Sequence, residues 1–266
     1  MSILDAIILG LVQGLTEFLP VSSSGHLAIA ESILGVEGNW LFFGLFVHLG
    51  TLVAVCCVFF KDILNLFKKP YKNLLMLAIA TIPAGVVGVL FNDLIDSIFD
   101  STSILCYTFL ATAVILWVSQ SISKRNRPFS PLNYPTATLM GIGQAFAILP
   151  GLSRSGTTIA IGLSLRKNRD EVAKFSFLMS IPVILGGVIM EVIDVGIKLG
   201  EGVTASALGI SILPTIIASI FAGFAGYISI RWMLSLINRC DFRGFSVYLF
   251  VLSLTVFVNS YVVPMW

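Results

Sequence analysis

Six stretches of this chain run for about twenty residues with almost no charge, the length a helix needs to cross the roughly 30 Å hydrocarbon core of a bilayer. They lie at 41–60, 73–91, 102–121, 175–193, 205–230 and 245–266. Lipid offers nothing to an unpaired backbone N–H or C=O, so each stretch is expected to be helical. Two further regions, 3–34 and 137–165, are equally apolar but are broken midway by Pro, Gly and Ser, which leaves arms too short for a full crossing. They read as re-entrant helical hairpins. The expected fold class is therefore all-α integral membrane, with six transmembrane helices plus two re-entrant hairpins. Irregular backbone at membrane depth is tolerated only beside protein or a wet cavity, which makes both hairpin tips candidate sites.

Composition agrees: 57% of the 266 residues are hydrophobic and 11% charged, with a mean hydropathy of +0.98. A net charge of +2 with no basic tail or patch excludes a nucleic-acid partner. Met1 leads almost directly into apolar sequence without a basic lead-in, so no removable signal peptide is expected. Cys56, Cys57, Cys106 and Cys240 show no metal-ligand spacing and read as apolar filler.

If the hairpins do not cross, the basic residues sort to one side. Every Lys and Arg except Lys198 and Arg154 falls in the segments around 61–72, 124–127, 166–174 and 231–243. The positive-inside rule makes that side cytoplasmic. Glu17 and Arg154 are left over, each at the broken tip of a hairpin. An ionised group at that depth costs about 2.5–3.5 kcal/mol even on insertion scales, so a functional pair is the default expectation.

The broken regions also resemble one another. Gly10-Leu-Val-Gln13 with Leu19-Pro20-Val21-Ser22-Ser23-Ser24-Gly25-His26 matches Gly141-Ile-Gly-Gln144 with Leu149-Pro150-Gly151-Leu152-Ser153-Arg154-Ser155-Gly156, the glutamines and the Ser22/Ser153 pair each 131 residues apart. A second match, offset by 138, joins Ala80–Gly88 to Ala218–Gly226. One membrane domain of two repeats, 1–128 and 129–266, is expected. An odd number of crossings in each half turns the second copy upside down, and such inverted-topology repeats place their broken helices around one shared site.

Ser153, Arg154, Ser155, Gly156 and Thr157 have the makings of a phosphate cradle: amides at a helix start, and a guanidinium fork matched to phosphate oxygens. Opposite them, Gln13 and Glu17 share a helix face four residues apart, and Ser22, Ser23, Ser24, Gly25 and His26 follow at once. Ser22 and Ser24 could equally be ordinary turn and capping residues. His48, at mid-depth in the first span, is read as bonding a neighbouring carbonyl rather than reaching the site from the side.

With these residues in view, Gln13-Gly-Leu-Thr-Glu17-Phe-Leu-Pro-Val-Ser-Ser-Ser-Gly-His26 and Pro150-Gly-Leu-Ser-Arg-Ser-Gly156 resemble the two signature segments of the undecaprenyl-diphosphatase family of the bacterial bacitracin-resistance type, and the likeness covers essentially the whole chain. The resemblance implies removal of the terminal phosphate of undecaprenyl diphosphate, recycling the lipid carrier for cell-wall synthesis. It also implies a divalent cation, Mg²⁺ or Ca²⁺, and a multi-pass protein of the bacterial cytoplasmic membrane whose site opens to the outer face. Some members have Glu where this chain has Gln13, so Glu17 is the one carboxylate left in the site and its expected metal ligand. On this reading Arg154 and Ser153 with the 155–157 backbone bind the diphosphate, Ser23 is the nucleophile and His26 its general base or the acid for the leaving group. His26 as nucleophile and direct attack by water are the alternatives. A homo-oligomer is compatible with this reading. The rival function is carriage or flipping of an anionic lipid, since inverted repeats with broken helices are also a transporter plan.

Overall fold

The computed structural model describes residues 1–36, 40–91, 103–123, 128–200, 212–239 and 241–263. They form α1 (Ile3–Glu17), α2 (Ser23–Leu34), α3 (Trp40–Val58), α4 (Phe60–Leu66), α5 (Lys72–Leu90), α6 (Ile104–Ser123), α7 (Tyr134–Phe146), α8 (Arg154–Ser164), α9 (Arg169–Gly200), α10 (Ile212–Leu236) and α11 (Arg243–Tyr261). Extended pairing among the described residues is confined to a single bridge between Ser130 and Lys167. The expected spans coincide with α3, α5, α6, α9, α10 and α11; their portions at 102, 205–211 and 264–266 lie outside the described residues.

Five of these helices, α5, α6, α9, α10 and α11, are long and apolar enough to cross a bilayer. A sixth candidate is α3 taken with α4, a pair bent by 79° at Phe59. The surface is lipid-like: Leu90, Ile220 and Phe224 are exposed, whereas Gln13, Thr112, Gln144, Thr158 and Ser176 are buried. Lipid tails are as apolar as leucine, so greasy packing alone does not hold such helices together. Close approach and interhelical hydrogen bonds do. Ser246 Oγ donates to the Ala113 carbonyl at 2.5 Å and Ser253 Oγ to the Cys106 carbonyl at 2.6 Å, which seats α11 on α6.

Both broken regions are helix–turn–helix units, α1 with α2 and α7 with α8. Each inserts its first helix against a span of the other half. α1 packs on α10 and α7 on α5. At Gly10 a methyl group would collide with the backbone of Ala218, and at Gly141 with the backbone of Ala80. The two contacts correspond in sequence, Gly10 to Gly141 and Ala80 to Ala218.

Several of the described basic residues bind at helix ends. Arg166 Nη1 donates to the Ser123 carbonyl, Arg169 Nη1 to that of Ile237, Arg243 Nη2 to Ser121 Oγ, and Lys174 pairs with Asp62 at 2.9 Å. The carbonyl bonds of Arg166 and Arg169 cap the ends of α6 and α10 with cations, the sign a helix C-terminus favours.

Candidate active site

α1 opens with a capping box, in which Ser2 Oγ accepts from the Asp5 amide and the Asp5 carboxylate from that of Ser2. It ends at Glu17, and the chain turns through 18–22 into α2. Ser22 takes φ +69°, a backbone state that costs a residue with a Cβ about 1–3 kcal/mol and is concentrated at functional sites. Its Oγ accepts from the Gly25 amide and so caps α2. The second hairpin turns through Gly151 at φ +82°, and Ser153 caps α8 by accepting from the Gly156 amide at 3.0 Å.

The two tips are latched together. Ser155 Oγ donates to the Leu19 carbonyl at 2.8 Å, and the Gly151 amide reaches Ser24 Oγ at 3.4 Å. Gly25 and Gly151 allow this: a methyl at Gly25 would strike the Phe109 ring and come within 3.1 Å of Gly151 Cα.

Across this junction lies the pair singled out by its charge. Arg154 Nη2 donates to Glu17 Oε1 at 2.5 Å, 137 residues apart in the chain, and Glu17 is only 7% exposed. The other carboxylate oxygen takes Ser23 Oγ–H at 2.5 Å and Gln13 Nε2–H at 3.0 Å. Arg154 Nη1 reaches the Ser176 carbonyl at 3.4 Å, and Ser176 Oγ lies 2.6 Å from Thr158 Oγ1. Of a guanidinium's five N–H groups, this leaves several for a ligand. A buried carboxylate, a guanidinium and an activated hydroxyl within bonding distance can bind an anion and attack it.

The geometry adds to these expectations. Ser23 was the expected nucleophile, with His26 as its base or as the acid for the leaving group; its hydroxyl is given to Glu17. His26 lies nearly one turn further along α2, with Nδ1 2.7 Å from the Ser22 carbonyl and Nε2 2.6 Å from Tyr248 Oη. His48 was expected only to bond a neighbouring carbonyl. It does so, with Nδ1 2.6 Å from the Gly44 oxygen, but its Nε2 also stands 3.7 Å from Glu17 Oε2. The amides of Gly156 and Thr157, assigned to phosphate, are spent within the hairpin on Ser153 Oγ and the Ser153 carbonyl. What Thr157 still offers is its hydroxyl, buried and without a hydrogen-bond partner. Ser22 and Ser24 serve the turn and the latch, touching one another at 3.3 Å.

Gln144 is the repeat counterpart of Gln13. Its side chain is 1% exposed and neither amide atom has a partner. The repeat explains why: Gln13 donates to Glu17 four residues on, and the position corresponding to Glu17 is Ile148.

A divalent cation was implied as well. Hard cations take oxygen ligands, and Mg²⁺ commonly uses one or two carboxylates and completes its shell with water and substrate phosphate. Glu17 and the buried, unpartnered Oε1 of Gln13 fit that use. A full protein cage is not present: no three His, Cys, Asp or Glu side chains gather among the described residues.

Fold and site together define an all-helical multi-pass membrane protein with a buried carboxylate–guanidinium pair between two interlocked hairpins. The profile of the family described as bacitracin resistance protein BacA matches residues 6–255, and the chain belongs to that family. It is 39% identical over 259 residues to an undecaprenyl-diphosphatase of Carboxydothermus hydrogenoformans, covering 97% of both chains. It is 40% identical over 282 residues to one from Methanobrevibacter smithii, covering 98% of both, and 34% identical to undecaprenyl-diphosphatase 3 of Bacillus cereus, again covering 98% of both.

Proposed function

We propose that this chain is an integral membrane phosphatase that hydrolyses undecaprenyl diphosphate to undecaprenyl phosphate and inorganic phosphate. Full-length likeness to proteins of that name supports the substrate. The single observation that carries the chemistry is Glu17 held between Arg154 and Ser23 inside an apolar bundle. Carriage of an anion would need the arginine but gives no reason to hand a serine hydroxyl to a buried carboxylate.

The geometry suggests the following sequence. The diphosphate enters beside Arg154, whose remaining N–H groups neutralise charge on its phosphoryl oxygens. Ser23 Oγ attacks the terminal phosphorus as its proton passes to Glu17 Oε2. The bond from that phosphorus to the bridging oxygen breaks, and undecaprenyl phosphate leaves with the electron pair. Water then cleaves the phosphoserine, releasing phosphate and returning a proton to Ser23 Oγ. His26, on the same first turn of α2, is the further candidate for proton transfer. A divalent cation held by Glu17 and Gln13 Oε1 would lower the charge of the diphosphate when bound.

The inverted arrangement of the two halves belongs to this proposal. The correspondence of the Gly10–Ala218 and Gly141–Ala80 contacts supports a pseudo-twofold relation that brings both tips to the same depth. The positive-inside rule is the basis for the further reading that the site opens to the outer face.

The test is release of inorganic phosphate from a polyprenyl diphosphate by purified protein in detergent. Wild-type turnover, lost with EDTA and reduced at least about 100-fold by Glu17→Ala, is the expected result. Turnover by Glu17→Ala near the wild-type rate would remove the carboxylate from the mechanism, and substrate binding without any turnover would favour a carrier.

A further inference from the structure

We propose that Tyr248 is a positioning residue of this site: its phenol holds the His26 imidazole in place through Nε2, the basic nitrogen of the tautomer that the Ser22 carbonyl fixes. The inference rests on the phosphatase reading for its kinetic consequence, but the geometry stands alone. Nδ1 lies 2.7 Å from the Ser22 carbonyl oxygen, and a carbonyl only accepts, so the hydrogen is on Nδ1. In a neutral imidazole Nε2 then bears the lone pair, and the phenol O–H donates to it at 2.6 Å. Both ring nitrogens are thereby fixed.

Ring contacts hold the same orientation. The Tyr248 ring stacks on the imidazole, with centroids 5.7 Å apart and planes 18° from parallel. On another side the edge of Phe109 closes in at 5.6 Å and 74°. Flipping the imidazole would sacrifice both hydrogen bonds while leaving it confined between the same rings.

The identity of the residue at 248 also calls for an explanation. It lies in α11 among residues that face lipid; Val247, Phe250 and Val251 are each more than half exposed. Hydrocarbon offers a hydroxyl no partner, so a phenol there must bond inward or go unsatisfied. Its partner is His26, 222 residues away in the chain, on the helix whose first turn carries Ser23. Nε2 is consequently the basic nitrogen of His26, and Tyr248 decides where it points. Because Tyr248 acts through His26, its loss should fall on turnover rather than on substrate binding.

The chain has two histidines, which makes the tautomer directly readable. Protein with isotopically labelled histidine ring nitrogens, in detergent or nanodiscs, is studied by NMR; His48→Gln assigns the His26 signal by elimination. Tyr248→Phe keeps the ring and its stacking and removes one oxygen, and a thermal melt checks that the variant is folded. The wild type is expected to show the Nδ1–H tautomer. Tyr248→Phe is expected to keep that tautomer but to shift the Nε2 signal as its hydrogen bond is lost, with kcat for phosphate release down about tenfold and KM within about twofold. An Nε2–H tautomer in the wild type, a His26 signal unchanged by the substitution, a wild-type kcat, or a loss carried by KM each overturns the proposal. The NMR arm needs no substrate, so a wild-type protein that releases no phosphate sinks the phosphatase reading and leaves the tautomer assignment intact.

Discussion

Glu17 accepts from three side chains at once, those of Arg154, Ser23 and Gln13, and these bonds meet the cost of keeping a carboxylate in an apolar interior. Arg154 matters here for its shape as well as its charge. A guanidinium can hold Glu17 with one edge and phosphate with another, which an ammonium on a flexible stem cannot do. Arg154→Lys is therefore expected to keep a folded protein but lose at least about 100-fold in kcat/KM, read from phosphate release beside a thermal melt. Gln144 presents the opposite situation, a buried amide with no partner for either polar atom. Replacing an unsatisfied group with an apolar one of similar size relieves a desolvation penalty of about 1–3 kcal/mol, so Gln144→Leu should raise the melting temperature by a few degrees. A lowered Tm would show that the amide is satisfied by bound water.

At the scale of elements, two short hairpins do what unbroken spans could not: they bring backbone turns and polar side chains together inside the helical bundle. Gly151 is where this is most exposed to substitution. Its φ of +82° disfavours any side chain, and a methyl there would meet Thr108 Oγ1. Gly151→Ala should cost about 1–3 kcal/mol, visible as a lower Tm, and should cut phosphate release by pulling Ser153 and Arg154 out of register. Both hairpins were legible in the sequence because Pro, Gly and Ser interrupt runs that are otherwise fully apolar. The charges of Glu17 and Arg154 were legible for the same reason: in such runs an ionised residue stands out. His48 and Tyr248 were not, because a histidine or tyrosine on a membrane helix acquires its role from the crossing of helices far apart in sequence. Whether His48 meets Glu17 depends on the rotation of α3 against α1. Whether Tyr248 meets His26 depends on α11 packing beside α2. Neither rotation leaves a trace in local periodicity, and the capping that occupies the Gly156 and Thr157 amides emerged only with the coordinates.

For the whole molecule, the reciprocal glycine contacts make a sharper prediction than the sequence repeat alone. Gly10 and Gly141 each let one helix touch the backbone of a span from the other half, so Gly10→Val and Gly141→Val should lower the melting temperature by similar amounts. A defect confined to one of them would argue against a matched architecture. The repeat was readable as a spacing of 131 residues, but the exchange of partners between halves was not, since sequence similarity says which segments are alike and nothing about which segments touch.

The Glu17–Arg154 bridge joins parts that are made at different times. Until the second hairpin has been synthesised and inserted, Glu17 lacks its guanidinium, and a chain truncated after its first half would leave only Ser23, Gln13 and His48 around an acid that lipid penalises. Such a fragment would carry its own mark for disposal.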